Sequence, residues 1–173
     1  MKPLTFLAAA VLSLNVALPA MAACSEPEAI GVDWSGCDLT NKDLSGTALY
    51  DANLSGANLS GMDLSFIGLG RANLSGANLV GADLQNAVLE YANLTGANLT
   101  AANLSAAYLD SANLTGANLT RADLTQASTS QAKLIGANLS GATFTFLNQA
   151  DLSGATWTDY RTICAAGSIG DCN

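Results

Sequence analysis

Residues 92–124 read ANLTGANLTAANLSAAYLDSANLTGANLTRADL. Leucine recurs at every fifth residue: Leu94, Leu99, Leu104, Leu109, Leu114, Leu119 and Leu124. A helix turns about 100° per residue, so a five-residue step advances about 500° and successive leucines spiral round the axis without forming a stripe. In a straight strand the side chains alternate, so an odd spacing sends successive leucines to opposite faces. Neither element buries the leucines together. The chain has to turn once per repeat.

With Leu as position i, the pattern is Ala at i−2, Asn or Asp at i−1, Ser or Thr at i+1 and often Gly at i+2. Positions i−2 and i share one face of a short extended segment, and i−1 points the other way. Positions i+1 and i+2 are left for a corner, and a small polar residue followed by Gly suits a turn that needs φ > 0. Asn, Ala and Leu are poor strand formers, so packing has to override propensity. Grouping every fourth unit reveals a second period. One column has Gly56, Gly76, Gly96, Gly116 and Gly136 at i+2. Another has Asp43, Asp63, Asp83, Asn103 and Asp123 at i−1. A third has Leu49, Leu69, Leu89, Leu109 and Thr129 at i, with Ala48, Gly68, Val88, Tyr108 and Ser128 at i−1, and no Asn or Asp there at all. A period of twenty overlies the period of five, so residues twenty apart stack on one side of a four-sided coil.

The N-terminus carries Lys2, an apolar run from Leu4 to Leu18, and Ala20-Met21-Ala22 before Ala23. This reads as a cleaved signal peptide over residues 1–22, and the run is shorter than the ~20 apolar residues a membrane span needs. Export to the periplasm or the exterior follows. A lipoprotein reading at Cys24 is weaker, because Met21 stands where lipidation sites usually carry Leu. Loss of Lys2 with the leader leaves five basic residues against fourteen acidic, a net charge of −9. Such a surface repels nucleic acid. The chain has no His, which removes the commonest general base and metal ligand. The four cysteines, Cys24, Cys37, Cys164 and Cys172, suggest disulfides in an exported chain, and their number alone allows three connectivities.

The repeat closely resembles the pentapeptide-repeat family, whose signature is A(D/N)LXX, over residues 37–157. The resemblance implies an all-β fold, a right-handed quadrilateral parallel β-helix with four pentapeptides per coil. Leu39 to Phe144 spans 22 pentapeptides without interruption; Phe144 to Leu152 is then eight residues, which reads as an insertion of three. About six coils at ~4.8 Å each make a stack ~29 Å tall. Residues 23–36 and 158–173 are the available end caps, with Trp34 and Trp157 as plugs. Cystine needs Cα atoms within ~7 Å, so across such a stack only Cys24–Cys37 and Cys164–Cys172 remain. Thr129, at a Leu position, brings a hydroxyl that needs a partner and marks a weak point.

Two columns are candidates for function. Stacked Asp43, Asp63, Asp83 and Asp123 could hold a cation, but Asp replaces Asn freely in the signature, and no metal or other cofactor is expected. The column without Asn gathers Tyr50, Phe66, Arg71, Tyr91 and Tyr108, and exposed aromatics with Arg mark contact surfaces. This is the candidate interaction face; the competing reading is a column that merely uses a different turn type without Gly. No nucleophile paired with a base is present, so an enzyme is not expected. The expectation is a non-catalytic periplasmic binding or structural module with an unknown protein partner, or self-association. The resemblance also implies an alternative, a DNA mimic that interacts with gyrase, which an export signal disfavours.

Overall fold

From Gly46 to Gly141 every fifth residue has φ between 55° and 68°. Each sits at the second centre of a β-turn that the Leu carbonyl closes, as where Ala97 N donates to Leu94 O at 3.0 Å. A positive φ at that position is the mark of a type II turn. In the column of Gly56, Gly76, Gly96, Gly116 and Gly136 the absence of a Cβ makes this conformation easy to reach.

The computed structural model describes residues 24–157 together with Asp159, Cys164, Gly167, Gly170 and Asp171. The expected signal peptide and most of residues 158–173 lie outside the described residues. Between corners the chain is extended for three residues and pairs in parallel with the segment twenty residues on. One line of pairs joins Asp33, Asn53, Asn73, Asn93, Asn113, Lys133 and Asp151. Among the described residues only β1 (Asp123–Leu124) and β2 (Thr143–Phe144) extend to two-residue strands, and they pair in parallel. The central repeats still satisfy their backbone: Leu94 N donates to Asn113 O at 2.7 Å, Gly96 N to Thr115 O at 3.0 Å, and Asn113 N to Ala92 O at 2.9 Å. The architecture is a four-sided parallel β-solenoid.

The core is the stack of inward Leu and Ala, from Leu39 to Leu152, almost all without solvent contact. Burial of each Leu contributes about 1.5–3 kcal/mol before entropy. Asn at i−1 works on the outside. The Asn93 amide nitrogen donates to the Asn73 Oδ1 one coil away at 3.0 Å. Asn93 Oδ1 in turn accepts from the Thr95 N–H at 3.2 Å and its hydroxyl at 2.6 Å. One side chain therefore stitches coils together and braces its own corner.

The line of pairs reaches back to Asp33, which places Trp34, fully buried, in the Leu column. Lys42 Nζ lies 4.6 Å from the centre of the Trp34 ring and 3.2 Å from Glu28. A Cys24–Cys37 disulfide closes this end, with Cα atoms 5.6 Å apart. At the other end Phe144 and Trp157 meet edge to face at 5.4 Å. Cys164 N donates to Ala155 O, and Gly170 N to Ala150 O. Cys164 is itself disulfide-bonded, and Cys172 lies outside the described residues.

The break after Phe144 is a shortening and not an insertion. Lys133 pairs with Asp151 and Asn138 with Thr156, so the last coil takes eighteen residues. Leu147 is buried and occupies the Leu position of the fourth side, with Ala150 N donating to its carbonyl and Gln149 at φ 55°. Two residues have been removed from that side. The shortening falls beside Thr129, whose Oγ1 is buried without a hydrogen-bond partner. Thr129→Val keeps the shape and removes the orphan, so it should stabilise by about 1 kcal/mol, or ~3 °C in Tm for a chain of this size. Thermal melts check this, and a lower Tm would mean that the hydroxyl is satisfied.

A second outcome concerns acid. Asp33, Asp38, Asp63, Asp123 and Asp151 have carboxyls held below the usual range by donors of the corner Ser or Thr. Their contribution is present above the unfolded value of about 3.9 and is lost as pH falls through the lower folded values. Tm should drop below about pH 4. Replacing all five with Asn, which accepts the same bonds, should flatten that drop in melts run from pH 6 to pH 2.

Candidate functional site

The side of the solenoid without Asn has a different chemistry because the Asn ladder is missing. Its outward residues along the pairing line are Ala48, Gly68, Val88, Tyr108 and Ser128. The corner columns on its two edges are equally distinct. After Gly46, one runs Phe66, Asn86, Ala106, Gln126; after Gly31, the other runs Asp51, Arg71, Tyr91, Ser111, Gln131. These non-glycine residues adopt φ 56–62°, close to the values of the Gly corners. The expectation of a different turn type is therefore corrected: the turn is conserved in shape, and bulky residues are held in it. On the other two corner columns Gly predominates, with Ala101 and Arg121 as the exceptions over the same coils. A left-handed non-glycine residue costs about 1 kcal/mol, so this face carries concentrated backbone strain.

The five residues singled out from the sequence do not play one role. Phe66, Tyr91 and Tyr108 are exposed, at 64%, 66% and 48%. Tyr50 is half-buried and lies across the next coil. A Cβ on Gly68 would stand 2.7 Å from its Cε2, and one on Gly70 would stand 3.0 Å from its Cδ1. Neither glycine has a positive φ; both are small so that the Tyr50 ring can lie against the backbone. Arg71 is engaged too. Its Nε and Nη2 donate to Asp51 Oδ1 and Oδ2, each at 2.7 Å, one coil apart. That bidentate pair holds the Asp51 carboxyl below its usual range and raises Arg71. Both side chains are solvated, so the pair holds two coils in register more than it adds to stability.

Higher on the face, Asp110 takes the place of the ladder. Both its oxygens accept from Ser128 Oγ, at 2.6 and 2.7 Å, and Oδ1 accepts from Ser130 N at 2.9 Å. Phe146, 68% exposed, was missed from the sequence. Leu147 is buried in the Leu column, and Phe146 immediately precedes it, as the outward residues of this face precede their leucines. Counting back five from Leu152 lands on Leu147 and would have found it. Phe146 also lines an open cavity of about 180 Å³ with Phe144, Thr145, Leu147, Gln149 and Gly170 among others.

The Asp column has no sign of a metal centre. Asp43, Asp63, Asp83 and Asp123 each accept a backbone N–H two residues on, at 3.4, 2.9, 3.1 and 2.9 Å. Among the described residues no group of three or more acidic, His or Cys side chains gathers to hold a metal. Nor is any helix there long and apolar enough to cross a membrane.

A four-sided solenoid built from five-residue units, with aromatic side chains exposed on one face, defines a repeat scaffold. The chain belongs to the pentapeptide repeat family: the pattern described as Pentapeptide repeats matches in eight copies over residues 30–65, 69–105, 102–141 and 130–159. Such proteins form right-handed quadrilateral β-helices and are generally structural or interaction modules rather than enzymes. No curated protein matches the chain. Among solved structures, the pentapeptide repeat protein Rfr23 from the cyanobacterium Cyanothece 51142 is 45% identical, with a TM-score of 0.44 over 50% of this chain. This chain spans 57% of the length of that protein. HetL from Nostoc sp. strain PCC 7120, involved in heterocyst differentiation regulation, is 30% identical over 81% of this chain and 86% of its own, with a TM-score of 0.42. A trypsin-treated form of QnrB1, a plasmid-mediated fluoroquinolone resistance protein, is 24% identical over 82% and 79%, with a TM-score of 0.43.

The Tyr50 shelf is testable by a double-mutant cycle. Gly68→Ala should destabilise by about 1–2 kcal/mol by displacing the ring. In a Tyr50→Ala background the same change should cost within ~0.5 kcal/mol of nothing. Denaturant unfolding of the four proteins measures it; additive effects would remove the contact.

Proposed function

We propose that this chain is an exported, non-catalytic recognition module that engages a protein partner through the face of Phe66, Tyr91 and Tyr108. In this reading residues 1–22 are a cleaved signal peptide, residues 23–36 and 158–173 seal the ends, and about six coils over residues 37–157 form the rod. The carrying observation is that the left-handed non-glycine corners line both edges of the same face that bears the exposed aromatics. Packing does not require them there, since the column of Gly56, Gly76 and Gly96 makes the same turn with no side chain. Strain kept against an easy alternative supports a role for the side chains it presents.

Location rests on a second observation. The Cys24–Cys37 disulfide supports an oxidising compartment such as the periplasm. The same disulfide counts against a cytoplasmic partner such as gyrase, although the acidic surface would suit a DNA mimic.

Two measurements test the reading. Mass spectrometry of protein from the envelope fraction should give an N-terminus at Ala23 with Cys24 unmodified; an intact N-terminus in the cytoplasm would overturn export. Crosslinking in the envelope should then capture a partner with the wild type and lose it with Tyr91→Asp plus Tyr108→Asp. Both side chains are exposed, so the variant should fold with an unchanged melt. Equal capture by the two would move the binding surface elsewhere.

A further inference from the structure

We infer that the open part of this face receives a cationic side chain, lysine or arginine, presented by a basic segment of the partner. The inference rests on the reading of the face as a recognition surface and adds the chemistry of what it recognises. Arg71 is the cation of this face, and Asp51 occupies its Nε and Nη2. The charge left over is negative. Glu90 is exposed, and no side chain among the described residues forms an ion pair or hydrogen bond with it. Asp110 accepts from Ser128 and Ser130 and meets no cation.

The column of Glu90 runs between the columns of two exposed tyrosines, Tyr108 and Tyr91. Val88 pairs with Tyr108, and Tyr91 N donates to Asp110 O at 3.0 Å, so Tyr91 and Tyr108 stand on successive coils. Across the face the order of columns is Tyr108, then Glu90, then Tyr91. Aromatic faces attract cations through the ring quadrupole, and a carboxylate beside them adds charge attraction. An anionic partner would be repelled by a chain of net charge −8, or −9 once residues 1–22 are removed. A second copy of the chain would bring the same excess and set its own Glu90 and Asp110 against these, which like-charge repulsion opposes.

The test titrates the purified, isotope-labelled protein by NMR at physiological salt. The probes are two ten-residue peptides, one alternating Arg with Gly and Ser, the other carrying Glu in place of Arg. The expected result is saturable shifts at the amides of Glu90, Tyr91 and Tyr108 with the Arg peptide and none with the Glu peptide. Glu90→Gln and Tyr108→Ala should each weaken binding by about five-fold or more. Asp63→Asn, on another side, should leave it unchanged. Shifts spread equally over the Asp63 column, an inert Glu90→Gln, or no saturation would overturn the inference. A concentration-dependent dimer in sedimentation that hides Tyr91 and Tyr108 would also overturn it and assign the face to a second copy. A partner lost with the paired Tyr→Asp changes but indifferent to Glu90→Gln would sink this inference and leave the recognition module standing.

Discussion

Each pentapeptide has to turn a corner without losing its backbone hydrogen bonds, and the whole structure depends on how that is met. The turn holds one residue at φ 55–68° and returns the next Ala to the core. With the turn made, Leu and Ala fall on one side of every short segment and stack on their equivalents in the neighbouring coils. The strand segments are too short to be stable as strands. Leu burial and the coil-to-coil hydrogen bonds hold them, which is why residues with poor strand propensity serve here.

The same constraint separates the faces. Where Asn stands at the outward position, its amide bridges coils and its carbonyl braces the corner, so the side is polar and regular. Where Ala48, Gly68, Val88 and Tyr108 stand there, that stitching is gone and other contacts substitute. Tyr50 lies over Gly68 and Gly70, Arg71 grips Asp51, and Asp110 reaches Ser128 and Ser130. Each spans one coil step, so the face keeps its shape by pairwise contacts between unlike residues. That frees Tyr91, Tyr108 and Phe66 to project.

The ends and the Thr129 defect obey the same accounting of buried polar groups. Trp34 fills a Leu position with its Nε1 buried and without a hydrogen-bond partner, and Lys42 lies over its ring with Glu28 on the ammonium. Near the other end the fourth side loses two residues, and the orphan Oγ1 of Thr129 lies next to that loss. A coil shortened on one side cannot repeat the full ladder, so irregular packing gathers there.

The periods of five and twenty determined the coil, the inward Leu and Ala, and the distinct column, because a repeating burial constraint writes itself into every copy. Thr129 was legible for the same reason: one substitution in a strict column stands out. The tertiary structure alone decided which members of the distinct column are free. Tyr50 and Tyr108 look alike in sequence, and although the period of twenty stacks Arg71 on Asp51, only the side-chain geometry shows the two paired. Their roles depend on which residue sits one coil away, a glycine shelf for Tyr50, a carboxylate for Arg71 and solvent for Tyr108. Phe146 was hidden by the shortened side, since a frame counted forward loses register where the spatial repeat does not.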